Sequence, residues 1–78
     1  MARLRLFGPA REQAGLHRLD IPGGTVGAVL DAAAVRFGEG FAQIVGTSRI
    51  WVNGDTAGRN DRVDEEDEVA VIPPVSGG

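Results

Sequence analysis

The chain has 78 residues, enough for one domain with a small core, and a domain of this size buries only roughly 60–65% of the surface that its unfolded form exposes. Hydrophobic residues make up 42% and charged residues 24%, a globular balance, and the lack of any Cys excludes both disulfides and thiolate metal sites. All eight basic residues are Arg, and eleven acids bring the net charge to −3, so the basic excess that drives nucleic-acid binding is missing.

Arg3-Leu4-Arg5-Leu6-Phe7 alternates polar and apolar as a half-buried strand does, with Leu4 and Leu6 inward and Gly8-Pro9 as its stop. His17 to Ile21 alternates in the same way and ends at Pro22-Gly23-Gly24, which predicts a hairpin with a long connection over Pro9 to Leu16. Thr25 is a good N-cap, and Val26, Leu30, Ala33 and Phe37 then form one helical face that Gly38 closes. Residues Glu39 to Thr47 carry no strong period, and their structure is left open. Arg49 to Val52 reads as a strand, with Asn53-Gly54 behind it as a type I′ turn. The acidic turn Asp64 to Asp67 leads into a last strand, Glu68 to Ile72, which Pro73-Pro74 terminate.

Strand, strand, helix, strand, strand in one short chain predicts an α+β fold, a mixed sheet curled around one main helix in the ubiquitin-like β-grasp manner. The right-handed crossover rule makes the first and last strands parallel central neighbours. Residues 1–72 form the domain in this reading, and residues 73–78 form an extended tail.

Side-chain chemistry is thinly represented. His17 is a lone histidine on a strand, Ser48 and Ser76 lie in no nucleophile elbow, and the acidic cluster lacks the spacing of a calcium loop. Gly23-Gly24 has too few glycines for a phosphate cradle. The absence of Lys leaves no side-chain amine for an isopeptide bond or a Schiff base. No apolar stretch is long enough to span a bilayer and no leader pattern opens the chain, which predicts a cytoplasmic protein without membrane contact.

The tail is the segment whose order suggests a purpose. Pro73 and Pro74 bias the backbone to a stiff, extended form, and Gly77 and Gly78, without Cβ atoms, suit a narrow enzyme channel. Val75 and Ser76 thread behind them, and the carboxylate of Gly78 is the candidate reacting group. Exposed apolar residues near the tail, Phe7, Ile72, Pro73, Pro74 and Val75, are the expected docking surface.

Three stretches resemble the MoaD branch of the MoaD/ThiS sulfur-carrier family: Leu6 to Gly15, Val52-Asn53-Gly54, and Asp67 to Gly78 with its Pro-Pro-Val-Ser-Gly-Gly ending. The resemblance implies a chain that is not catalytic alone and binds no cofactor. It implies a MoeB-like activating enzyme that spends ATP to adenylate Gly78, and a sulfur donor enzyme that converts it to a thiocarboxylate. It further implies docking with a MoaE-like large subunit as molybdopterin synthase, where the sulfur passes to the pyranopterin precursor of the molybdenum cofactor. The chain departs from the family where Asp64-Glu65-Glu66-Asp67-Glu68 replaces an Asp-Gly-Asp-Glu pattern, and between residues 38 and 48.

Two other readings share the Gly-Gly ending. One is a carrier for thiamin or cysteine synthesis. The other is a ubiquitin-like modifier, whose chemistry begins with the same adenylate and differs only in whether sulfur or an amine attacks it.

Overall fold

The computed structural model describes residues 1–74; Val75, Ser76, Gly77 and Gly78, and the roles expected of them, lie outside the described residues. Strand β1 (Ala2–Leu6) alternates buried and exposed residues without a break, with Leu4 and Leu6 in the core as expected. Gly8-Pro9 ends the strand but also starts a helix, α1 (Gly8–Ala14), in what was expected to be a plain connection. Pro in the first turn is compatible with this, because the N–H it lacks would have had no helical partner there. The Gly15 N–H closes α1 on the Arg11 carbonyl at 2.9 Å. Strand β2 (Arg18–Ile21) then pairs antiparallel with β1, and His17 stands exposed just before it.

Gly23 is needed where the chain enters the next helix. A Cβ at this position would lie 2.7 Å from both the backbone nitrogen and Cγ2 of Val29, too close for any side chain without backbone movement. Helix α2 (Val26–Phe37) starts where the capping pattern predicts, with Thr25 Oγ1 accepting from the Ala28 N–H at 3.1 Å. Its first two N–H groups, from Val26 and Gly27, donate to the carbonyls of Asp61 and Arg59 at 2.9 and 2.8 Å. The loop after β4 therefore satisfies donors that a helix start otherwise leaves unpaired.

The segment without a clear period is also helical, α3 (Glu39–Thr47), and it is anchored by Phe41, which is fully buried with its ring 5.2 Å from that of Phe37. Strand β3 (Arg49–Val52) turns through Asn53 (φ 51°) and Gly54 (φ 88°) into the two-residue β4 (Asp55–Thr56). Strand β5 (Glu68–Ile72) completes a five-stranded sheet of order β2-β1-β5-β3-β4. β5 runs parallel to β1 on one side and antiparallel to β3 on the other, the central placement that the crossover rule predicts. Inward residues of β1 and β5, namely Leu4, Leu6, Val69 and Val71, pack with Val26, Val29, Leu30 and Ala33 of α2 and with Phe41 in one core. One face of the sheet is thus covered, and the other is open.

Candidate functional site

The functional geometry centres on β5, because it is held by hydrogen-bonded neighbours on both sides and leads directly into the tail. On one side the register reaches Leu6 opposite Val71, and the Phe7 N–H continues it to the Val71 carbonyl at 3.2 Å. On the other side Arg49 stands opposite Ile72. A strand gripped to its last residue fixes where and in which direction the following segment leaves the domain. Pro73 and Pro74 carry no N–H, so the ladder cannot extend into them.

Period two assigns the tail-proximal residues to faces. Val69, Val71 and Pro73 fall on the inner face and are buried, whereas Ala70 and Ile72 are half-buried on the open face and Pro74 is exposed. Pro73 was expected as an exposed docking residue, and its burial corrects that expectation: the alternation of β5 carries one step past the strand and turns it toward the core side. Phe7 is exposed as expected, at 38%, with the guanidinium of Arg5 5.4 Å from its ring centre.

The pairing registers arrange the open face in rows across the strands. The row farthest from the tail carries Asp20, Arg3 and Glu68, with mixed charge. The middle row runs Arg18, Arg5, Ala70, Trp51 and Thr56. At the tail exit, Ile72 stands beside Arg49, with Phe7 on the other flank. Trp51, the single Trp of the chain, therefore lies next to Ala70 and one row from Ile72. Sequence reasoning did not single it out. Three of the four β3 residues are apolar, so alternation alone does not say which face Trp51 takes, and the register against β5 decides it.

The acidic turn has a structural task. Asp67 Oδ1 accepts from Asn53 Nδ2 at 2.9 Å and Oδ2 accepts from the Asp64 N–H at 2.8 Å, while Asn53 Oδ1 accepts from the Glu68 N–H at 3.0 Å. The bond from the Asp64 backbone first, and that from Asn53 second, hold the Asp67 carboxyl below its ordinary value. Asn53 is the one non-glycine residue with positive φ among the described residues, so the Glu66 that replaces a family glycine sits in an unstrained backbone. Among the described residues, no group of three or more His, Asp or Glu side chains is placed to hold a metal, and no polar or charged side chain is buried.

This arrangement offers a gripped central strand, a tail exit and a mixed apolar and cationic face, and among the described residues the interior presents no polar group for chemistry. The model of the ThiS family matches residues 4–78, from β1 through to Gly78. The chain belongs to the ThiS family. Its fold is the β-grasp of ubiquitin-like proteins, and with it the chain is a small carrier-type domain of the MoaD/ThiS group. No curated protein matches it.

Among solved structures, the small archaeal modifier protein 1 of Haloferax volcanii is 31% identical, with 99% of this chain and 98% of that one covered at a TM-score of 0.81. A Pyrococcus furiosus protein assigned as molybdopterin converting factor subunit 1 is 25% identical, covering 95% and 97% at 0.78. Subunit 1 in the complex of subunits 1 and 2 of the molybdopterin-converting factor of Helicobacter pylori, 24% identical with 99% and 97% covered at 0.69, shares the fold. Among the described residues of this ThiS-family chain, no helix is long and apolar enough to cross a membrane.

Proposed function

We propose that this chain carries sulfur for molybdenum cofactor synthesis on the C-terminal carboxylate of Gly78, as the small subunit of a molybdopterin synthase. The observation that carries the reading is β5, a central strand held on both sides that aims the segment after Ile72 away from the domain. The family match continues through that segment to Gly78. The likeness to the Pyrococcus furiosus subunit 1 and the Pro-Pro-Val-Ser-Gly-Gly ending favour molybdopterin over thiamin or cysteine synthesis.

A carboxylate resists nucleophiles until its oxygen is made a leaving group. A MoeB-like activating enzyme joins the Gly78 carboxylate to the α-phosphate of ATP and releases pyrophosphate. The outer sulfur of a persulfide on a donor enzyme attacks the carbonyl carbon and AMP leaves. Thiol reduction of the acyl disulfide then frees a thiocarboxylate. The carrier brings no cofactor and no catalytic side chain to these steps. Gly77 and Ser76 thread the channel, Val75 follows, and the loaded tail enters a MoaE-like large subunit where the pyranopterin precursor takes the sulfur. Neither a membrane nor a nucleic acid takes part, and the setting is the cytoplasm.

The 31% identity to an archaeal modifier supports a second reading, in which an amine of another protein attacks the adenylate. A variant with one Ala added after Gly78 tests the first reading, because the chemistry needs a free glycine carboxylate. Sulfur transfer to the precursor should disappear while thermal stability stays at the wild-type value. Undiminished transfer by the extended protein, with its added residue still in place, would refute the carrier role. Accumulation of covalent conjugates in the cell, without sulfur transfer, would select the modifier.

A further inference from the structure

We propose that the tail-proximal part of the open sheet face, centred on Trp51 and framed by Arg5, Arg18 and Arg49, docks a carboxylate-bearing surface of the enzyme that activates the C-terminus. The identity of that partner rests on the carrier reading; the chemistry of the surface rests on the sheet. Charge on this face is sorted by position. Asp20 and Glu68, its two acids within the strands, share the row farthest from the tail, whereas Arg18, Arg5 and Arg49 stand in the two nearer rows with no acid among them. Within a chain of net charge −3, this patch is positive.

The placement of Arg18 runs against stability. It stands directly opposite Arg5 across the β1–β2 pair, and like charges in that position destabilise a sheet. Glu68 relieves Arg5 in part, at 3.7 Å with both side chains well exposed. Among the described residues, no acid forms an ion pair with Arg18 or with Arg49. Two uncompensated guanidiniums flanking half-buried Trp51 and Ile72 match the composition of interface centres, where Trp and Arg anchor and a charged rim steers. The complement of such a patch is an apolar hollow rimmed by carboxylates. The acidic turn at the opposite end of β5 would repel the same rim, which orients the domain with its tail toward the active site.

Titration of the full-length chain, labelled with 5-fluorotryptophan, with the unlabelled adenylating enzyme of the same cell tests this by 19F NMR. Trp51 gives a single resonance, since the chain has no other Trp. The resonance should shift or broaden on addition of enzyme. Arg18→Glu with Arg49→Glu should weaken binding by about tenfold at low salt, with the difference closing toward about 1 M salt, where the screening length falls to about 3 Å. Trp51→Ala should weaken it by about thirtyfold. Because Arg18→Glu removes the clash with Arg5, its thermal midpoint should rise, which separates lost docking from lost folding.

An unmoved resonance with enzyme in excess, or wild-type affinity in the charge variant, would overturn docking on this face. The intact mass of the chain in the same mixture, after ATP and sulfur donor are supplied, reads the carrier chemistry separately. A thiocarboxylate formed with Trp51 unmoved removes the docking proposal alone, and docking without any thiocarboxylate removes the carrier reading alone.

Discussion

Asn53 and Asp67 together decide how the acidic turn joins the sheet. Asn53 adopts the left-handed conformation, and its amide bridges the Asp67 carboxylate and the Glu68 backbone. Asn53→Ala removes both bonds and places a Cβ residue at positive φ, which should cost about 1–3 kcal/mol in denaturant unfolding. Asn53→Gly keeps the backbone and loses only the bonds, so it should fall between the two. Equal stability of the Ala variant and wild type would show that the bridge is inconsequential. Asp67 gives a pH signature. Its folded carboxyl titrates below the ordinary 3.8, so the stabilisation is present above that value and is lost as pH falls through the lower, folded one. Asp67→Asn should therefore flatten the acid limb of the stability curve below about pH 4, and an unchanged limb would contradict the assignment.

At the scale of elements, legibility followed the strength of the local pattern. β1, α2, β3 and β5 were readable because period two or a capped helical face was written into consecutive residues, and the Asn53-Gly54 turn because few residue pairs accept positive φ at both positions. α1 was hidden by Gly8-Pro9, which stop a strand as readily as they open a helix. α3 was hidden by its two glycines, Gly40 and Gly46, which lower helix propensity, so its stability comes from tertiary packing through Phe41. Phe41→Ala should cost about 3–5 kcal/mol, against a total of about 4–12 kcal/mol for a domain of this length. Loss of most of the cooperative thermal transition is expected, whereas Phe41→Leu should retain it. A Phe41→Ala protein as stable as wild type would mean that α3 is not held by this ring. Gly23→Ala tests the entry to α2, where contact with the Val29 backbone should lower the melting temperature by several degrees.

In the whole molecule, one strand links the two ends of the function. β5 begins at the acidic turn and ends between Phe7 and Arg49 at the tail exit, so charge is graded along the direction in which the tail leaves. The sequence disclosed the tail and the fold that presents it. It did not disclose the docking face, because a face is defined by register between strands distant in the chain: Trp51 meets Ala70 only once β3 and β5 are paired. The misassigned Pro73 has the same origin, since the inner and outer sides of β5 are fixed by Val69 and Val71 against the helices. The chain therefore acts as a carrier body that orients a terminus, with reactivity confined to Gly78.

That claim is tested most directly by intact-protein mass spectrometry of the chain after incubation with ATP, a persulfide donor and the activating enzyme of the same cell. A gain of about 16 Da, the exchange of oxygen for sulfur at an activated acyl carbon, is expected and should map to the C-terminal peptide at Gly78. An unchanged C-terminal mass under conditions that consume ATP and release pyrophosphate would contradict sulfur carriage.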